Sequence, residues 1–143
     1  MERKGFIKNC GLACLGGSLL SAFLESCSGN KQMEGAIENA DLIVPVSSFQ
    51  RHENSFRKYI VVAHEKLKYP VCVYRFNEHT YSALSMRCTH QGAELQVFGD
   101  RLQCPAHGSE FNDKGIVQNG PAETNLRTFP VIVQNNQLYI SLK

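Results

Sequence analysis

A strong charge imbalance is absent from this sequence. Its 143 residues include 15 Lys and Arg against 13 Asp and Glu, a formal net charge of +2. The basic residues are scattered and form no stripe, so nothing points to nucleic acid. After Leu24 no long segment repeats apolar residues at the helical period of 3.6, which excludes a helical bundle for the body of the chain. The apolar run Cys10 to Leu24 would cover about 22 Å as a helix, short of the ~30 Å hydrocarbon core. Cysteine pairs are lacking too. Of six cysteines, Cys10 and Cys14 lie in that run and Cys27 just beyond it. Cys72 sits inside the strand-like Val71-Cys72-Val73, where a free buried thiol is expected. Cys88 and Cys104 each precede a histidine by two or three residues, so no pair is left for a structural disulfide. No group of two histidines and a carboxylate follows, which excludes a mononuclear oxygenase iron site and leaves no stand-alone catalytic residues.

The chain divides into an expected signal segment at 1–27, a linker at 28–41 and one domain at 42–143. Arg3, Lys4 and Lys8 form a basic start ahead of the apolar run, the order of a signal peptide. Arg3-Lys4-Gly5-Phe6-Ile7-Lys8 resembles a twin-arginine export signal, with Lys4 in the second arginine's place. Leu24-Glu25-Ser26-Cys27 resembles a bacterial lipobox, which implies a lipid on Cys27 and a tether from Ser28. The polar stretch Ser28 to Asp41, with Gly29, Asn30 and Gly35, reads as linker.

From Leu42 onward short apolar runs alternate with turn residues, the pattern of an all-β domain. Leu42 to Phe49 reads as an edge strand because Pro45 interrupts it. Tyr59 to Ala63, Val71 to Phe76 and Thr80 to Met86 read as further strands. Glu94 to Phe98 and Arg101 to Gln103 form a hairpin about Gly99-Asp100. Phe129 to Val133 and Leu138 to Leu142 form a closing hairpin, since Asn135-Asn136 tolerates the positive φ of a tight turn.

Two half-sites carry the chemistry: Cys88-Thr89-His90-Gln91-Gly92 and Cys104-Pro105-Ala106-His107-Gly108-Ser109. Two thiolates and two neutral imidazoles suit a [2Fe–2S] cluster in which histidines replace cysteines on one iron. Two Cys and two His also suit a structural zinc ion in a zinc-stabilised binding module. Zinc fingers, however, pair Cys with Cys and His with His, whereas each half-site here mixes the two. The order Cys-x-His then Cys-x-x-His resembles the Rieske iron–sulfur family, and Thr89, Gly92, Pro105, Gly108 and Ser109 stand where that family's two loops carry them. The resemblance covers roughly Val71 to Leu142. It implies an antiparallel β sandwich or barrel with a cluster-binding subdomain inserted at about 87–120. It also implies one [2Fe–2S] cluster per chain, with Cys88 and Cys104 on the buried iron and His90 and His107 on the outer one. Gly92, Gly108 and Ser109 would lie around the cluster, and Asn119-Gly120-Pro121-Ala122 resembles the family's third loop, where Pro121 would shield it from water.

Two ferric ions, two sulfides and two thiolates sum to zero charge, so an added electron is taken up more readily than by an all-cysteine cluster. The expected window is roughly −150 to +300 mV, against about −400 mV for plant-type ferredoxins. Ser109 matches the family's hydroxyl donor to a bridging sulfide. Phe111 stands where high-potential members carry a tyrosine, and Ala93 and Ala106 stand where they carry a disulfide. A hydrogen bond favouring the reduced state by about 1 kcal/mol is worth roughly 45 mV, so these absences place the potential in the middle or lower Rieske range. The resemblance implies an electron carrier in the bacterial cell envelope, tethered to the membrane by the N-terminal lipid or anchor. Its expected partner is a cytochrome or an oxidoreductase subunit, as for the Rieske subunits of quinol–cytochrome c reductase-type complexes or arsenite oxidase. A Rieske ferredoxin feeding a ring-hydroxylating oxygenase is the alternative. His52, His64 and His79 have no partner at ligand spacing, and Arg51, Arg57, Lys58, Lys66 and Lys68 read as solvated faces.

Overall fold

The computed structural model describes residues 31–143. The export and lipidation features expected at 1–27 lie outside the described residues. In chain order the strands are β1 (Gln32–Glu34), β2 (Ala36–Glu38), β3 (Asp41–Pro45), β4 (Gln50–His52), β5 (Ser55–Phe56), β6 (Tyr59–Ala63), β7 (Val71–Arg75), β8 (Tyr81–Ser85), β9 (Gln96–Phe98), β10 (Arg101–Gln103), β11 (Glu110–Asn112), β12 (Val117–Asn119), β13 (Thr128–Phe129), β14 (Val131–Gln134) and β15 (Gln137–Ser141). A single 3-10 turn, Val46–Phe49, follows β3. Among the described residues no helix is long and apolar enough to cross a membrane.

A five-stranded sheet in the order β1-β6-β7-β8-β13 lies between two four-stranded sheets, β14-β15-β3-β2 and β12-β11-β10-β9. Side chains alternate along a strand, so the central sheet feeds two cores. Val61, Cys72, Tyr74 and Leu84 face one core, which they share with Val97, Leu102 and Phe111 of the β9–β12 sheet. Ile60, Val62, Val71, Val73 and Ala83 face the other, shared with Leu42, Val44, Leu138 and Ile140 of β3 and β15. Burial on both faces explains why β7 is apolar at successive positions rather than at every second one. Together the two cores draw on residues from Met33 to Leu142, so the described chain is a unit with its own packed interior.

The cluster region is an insertion between two neighbouring strands. β8 pairs with β13, and the backbone N–H of Ser85 donates to the Arg127 carbonyl, closing the gap at 2.9 Å. Everything from Met86 to Leu126 leaves the central sheet and returns to it. The hairpin about Gly99-Asp100 and the closing hairpin about Asn135-Asn136 form as the sequence predicts, with Asn135 at φ 51° and Asn136 at φ 58°.

Two expectations are corrected. The described part of the expected linker carries β1 and β2. β1 runs parallel to β6, the one parallel pairing among the described residues, and β2 pairs with β3. The chain passes from one sheet to the other at Gly35, where a Cβ would come within 2.6 Å of Leu42 and 2.7 Å of Val62. β3 is also no edge strand, because β15 and β2 flank it. Pro45 lies at its final position, where a missing N–H costs little.

Candidate metal centre

The two half-sites fold into the same turn. Cys88 N–H donates to the Ala93 carbonyl at 2.8 Å, and Gly92 N–H donates back to the Cys88 carbonyl at 2.9 Å. Cys104 N–H donates to Ser109 at 2.8 Å, and Gly108 N–H to Cys104 at 2.9 Å. Gly92 and Gly108 both adopt φ +80°, the left-handed region that side chains rarely enter. The sequence spacing from Cys to Gly is four in both loops, although the histidine stands at the second position in one and the third in the other.

These turns sort the four donors by type. Cys88 and Cys104 are buried within the core at 1% and 2% exposure, whereas His90 and His107 are exposed. The imidazole rings meet edge to face, 4.9 Å between centroids and 86° between planes. Cys88 and Cys104 belong to one buried hydrophobic cluster. Burial works against a charge on Cys104, but the N–H groups of His107 and Ala106 and the Cys88 thiol outweigh it and pull its thiol below the ordinary value. A metal-bound cysteine is a thiolate, so these donors favour the binding state. Among the described residues no three His, Cys, Asp or Glu side chains converge on one ion position. Two thiols inside and two imidazoles outside match a two-iron cluster, where each metal takes one kind of protein donor.

Hydrogen bonds from outside the half-sites hold both loops. Tyr69, in the β6–β7 connection, donates its hydroxyl to the Gly92 carbonyl at 2.7 Å. Thr89 Oγ1 donates to the Thr124 carbonyl at 2.7 Å, and Ala122 N–H donates to Ser109 Oγ at 3.0 Å. The segment 120–124 therefore straps the two ligand loops together, where Ala93 and Ala106 offer no disulfide. Pro121, expected as the shield, is exposed; Ala122, at 4% exposure, is the buried residue of this segment. Ser109 is completely buried, and because its oxygen accepts from Ala122, its own proton is left to donate. Ser109→Ala strands the buried Ala122 N–H, and a loss of about 1–3 kcal/mol is expected in chemical denaturation. Tyr69 and Thr124 escape sequence reading because their contacts join residues 23 and 35 positions apart.

The remaining candidates stay apart from the site. Cys72 is free and buried. His64 Nδ1 accepts from Lys66 N–H at 3.0 Å, and His52 and His79 are exposed.

The chain is similar to known iron–sulfur proteins. A family model described as Rieske [2Fe-2S] domain matches residues 42–130. The ferredoxin CarAc of Metapseudomonas resinovorans is 34% identical over 76 residues, which cover 50% of this chain and 70% of that protein. Cytochrome b6-f complex iron-sulfur subunit 1 of Synechocystis is 39% identical over 56 residues, 38% of this chain and 32% of that subunit. The match to the toluene-4-sulfonate monooxygenase iron-sulfur subunit TsaM1 of Comamonas testosteroni, 31% identical over 83 residues and 52% of this chain, spans only 24% of that relative. Among solved structures, the plasma membrane Rieske protein PetC3 of Synechocystis aligns with a TM-score of 0.52 and 30% identity, over 59% of this chain and 87% of that one. The chain belongs to the Rieske [2Fe-2S] family: its cofactor is a [2Fe–2S] cluster, and homologues of this domain act in electron transfer.

Proposed function

We propose that this chain is the iron–sulfur subunit or carrier of a membrane-associated respiratory oxidoreductase, exported to the bacterial cell envelope and tethered there through Cys27. In this reading Cys88 and Cys104 hold the inner iron and His90 and His107 the outer one. The observation that carries it is the sorting of donors, thiols in the core and imidazoles at the surface. The cluster supplies one electron at a time. The chain's own residues keep water from the two thiols, fix both loops through Tyr69, Thr89 and Ser109, and leave the histidines open to a redox partner. The PetC3 likeness supports a membrane setting, since that protein is described as a plasma membrane Rieske protein. The test is fractionation of the native host with labelling by a radioactive fatty acid. Label on the wild type and none on Cys27→Ala, with the wild type in the membrane fraction, supports the tether; a soluble unlabelled protein contradicts it.

Phe111 and the absent disulfide favour a second reading, a Rieske ferredoxin serving a ring-hydroxylating oxygenase. The ferredoxin CarAc supports it, as does the structure titled a complex of reduced oxygenase and oxidized ferredoxin in carbazole 1,9a-dioxygenase, aligned at TM-score 0.52 and 26% identity over 71% of this chain and 91% of that one. A cytosolic location and a potential near the bottom of the Rieske window would select it.

The second-layer residues give opposite shifts. Phe111 is completely buried and has no donor, so Phe111→Tyr adds one and raises the midpoint potential. Ser109→Ala removes a donor and lowers it. Each shift is expected at roughly 45 mV per 1 kcal/mol of hydrogen bond, read by redox titration.

A further inference from the structure

Lys31, Arg51, Arg57 and Lys58 surround one cleft of about 640 Å³, and no carboxylate lines it. Among the described residues none of the four is in an ion pair. Met33 and Ile60 add an apolar wall. Two exposed aromatic side chains stand at the same end of the domain, Phe56 at 47% and Phe76 at 40% exposure. The Arg75 guanidinium lies 4.1 Å over the Phe56 ring, and Arg75 N–H donates to the Lys58 carbonyl at 2.9 Å. The cations and the aromatic rings thus form one patch.

Strand register puts this patch away from the ligand loops. Tyr59 pairs with Tyr74, and Arg75 with Tyr81, whereas Val71 pairs with Ser85, just before Cys88. From Tyr81 to Cys88 the chain advances roughly 20 Å, at about 3.3 Å per extended residue. β1 runs parallel to β6 with Gln32 beside Val61, so the chain enters the described domain at Lys31, next to the cleft. Unpaired cations beside exposed rings make a surface that suits an anionic bilayer. Lys and Arg meet the phosphates while aromatic rings settle at headgroup depth.

We infer that the end of the domain bearing Lys31, Arg51, Arg57 and Lys58 is a membrane-contact surface whose cleft takes the headgroup of an anionic phospholipid, with the exposed histidines turned away from the bilayer. This goes beyond the tether at Cys27 and does not require it. The test uses the chain from Ser28 onward, which lacks Cys27 and retains both cores, with cluster absorbance as the check on folding. It is sedimented with phosphatidylglycerol-containing vesicles and with pure phosphatidylcholine vesicles at low salt. Preferential binding to the anionic vesicles is expected, reduced roughly 25-fold in R57Q/K58Q, at about fivefold per cation near an anionic surface. The charge-matched pair K66Q/K68Q, in the β6–β7 connection at the ligand-loop end, stays within about twofold of the wild type. Equal binding to both vesicles, no loss in R57Q/K58Q, or an equal loss in the two pairs overturns the inference.

Discussion

Cys104→Ala yields a colourless protein without a cluster, while Cys72→Ala keeps its colour. The two residues are alike in burial and in the core they join. Both are free, both are buried, at 2% and 0% exposure, and both belong to the same core. Burial drives the Cys72 thiol far above its ordinary range, and the neighbouring Tyr74 hydroxyl offsets this only in part. Cys72 is a protonated, apolar filler. At Cys104 burial also opposes charge, but the N–H groups of His107 and Ala106 and the Cys88 thiol reverse the direction. Removing Cys72 therefore costs packing alone, about 1 kcal/mol. With Cys104 in the proposed ligand set, removing it costs packing, one of four protein donors and the stabilisation that a bound cluster adds to the folded state. Iron and sulfide assays with visible absorbance give the first readout and thermal unfolding the second. A coloured Cys104→Ala protein with full iron would remove Cys104 from the ligand set.

Leu84→Ala lowers stability by about 2–5 kcal/mol, a large part of the 5–15 kcal/mol typical of a domain. Leu84 is completely buried on β8 and faces the core shared with the cluster insertion. Its strand lies between β7 and β13 and runs on to Cys88, so a cavity there loosens the base of the first ligand loop. Ile132→Ala is the control. That side chain is 64% exposed on β14, and its loss is expected within about 0.5 kcal/mol. Urea denaturation of the loaded protein measures both, and faster bleaching of the cluster in Leu84→Ala is the accompanying result. Equal midpoints for the two variants would contradict the packing described here.

The two Cys–His turns are legible in the sequence because each is local. A cysteine, a histidine and a glycine within five residues specify both the donor types and the turn, and the turn appears in both loops with φ +80° at its glycine. β6, β7 and β8 are legible because apolar β-branched runs bounded by turn residues have few other uses. β1 and β2 are not. Each has three residues, and the turn from β2 into β3 is Asn39-Ala40, with φ of 50° and 70°. The usual signal for that geometry is Asn-Gly, and alanine hides it. β11 and β12 are short and largely polar, and take their places from pairing, β11 with β10 and β12 with β11. The strap at 120–124 is visible as a turn, but its bonds to Thr89 and Ser109 depend on the tertiary fold. Arg51, Arg57 and Lys58 look like ordinary solvated residues until β1 places Lys31 beside them.

An EPR-monitored redox titration of the purified chain tests the cluster assignment most directly. The expected result is a rhombic signal that appears on reduction and titrates as one electron, with its midpoint in the middle or lower part of the window from about −150 to +300 mV. A colourless, EPR-silent protein carrying stoichiometric zinc would contradict it, as would a midpoint near the −400 mV typical of all-cysteine clusters.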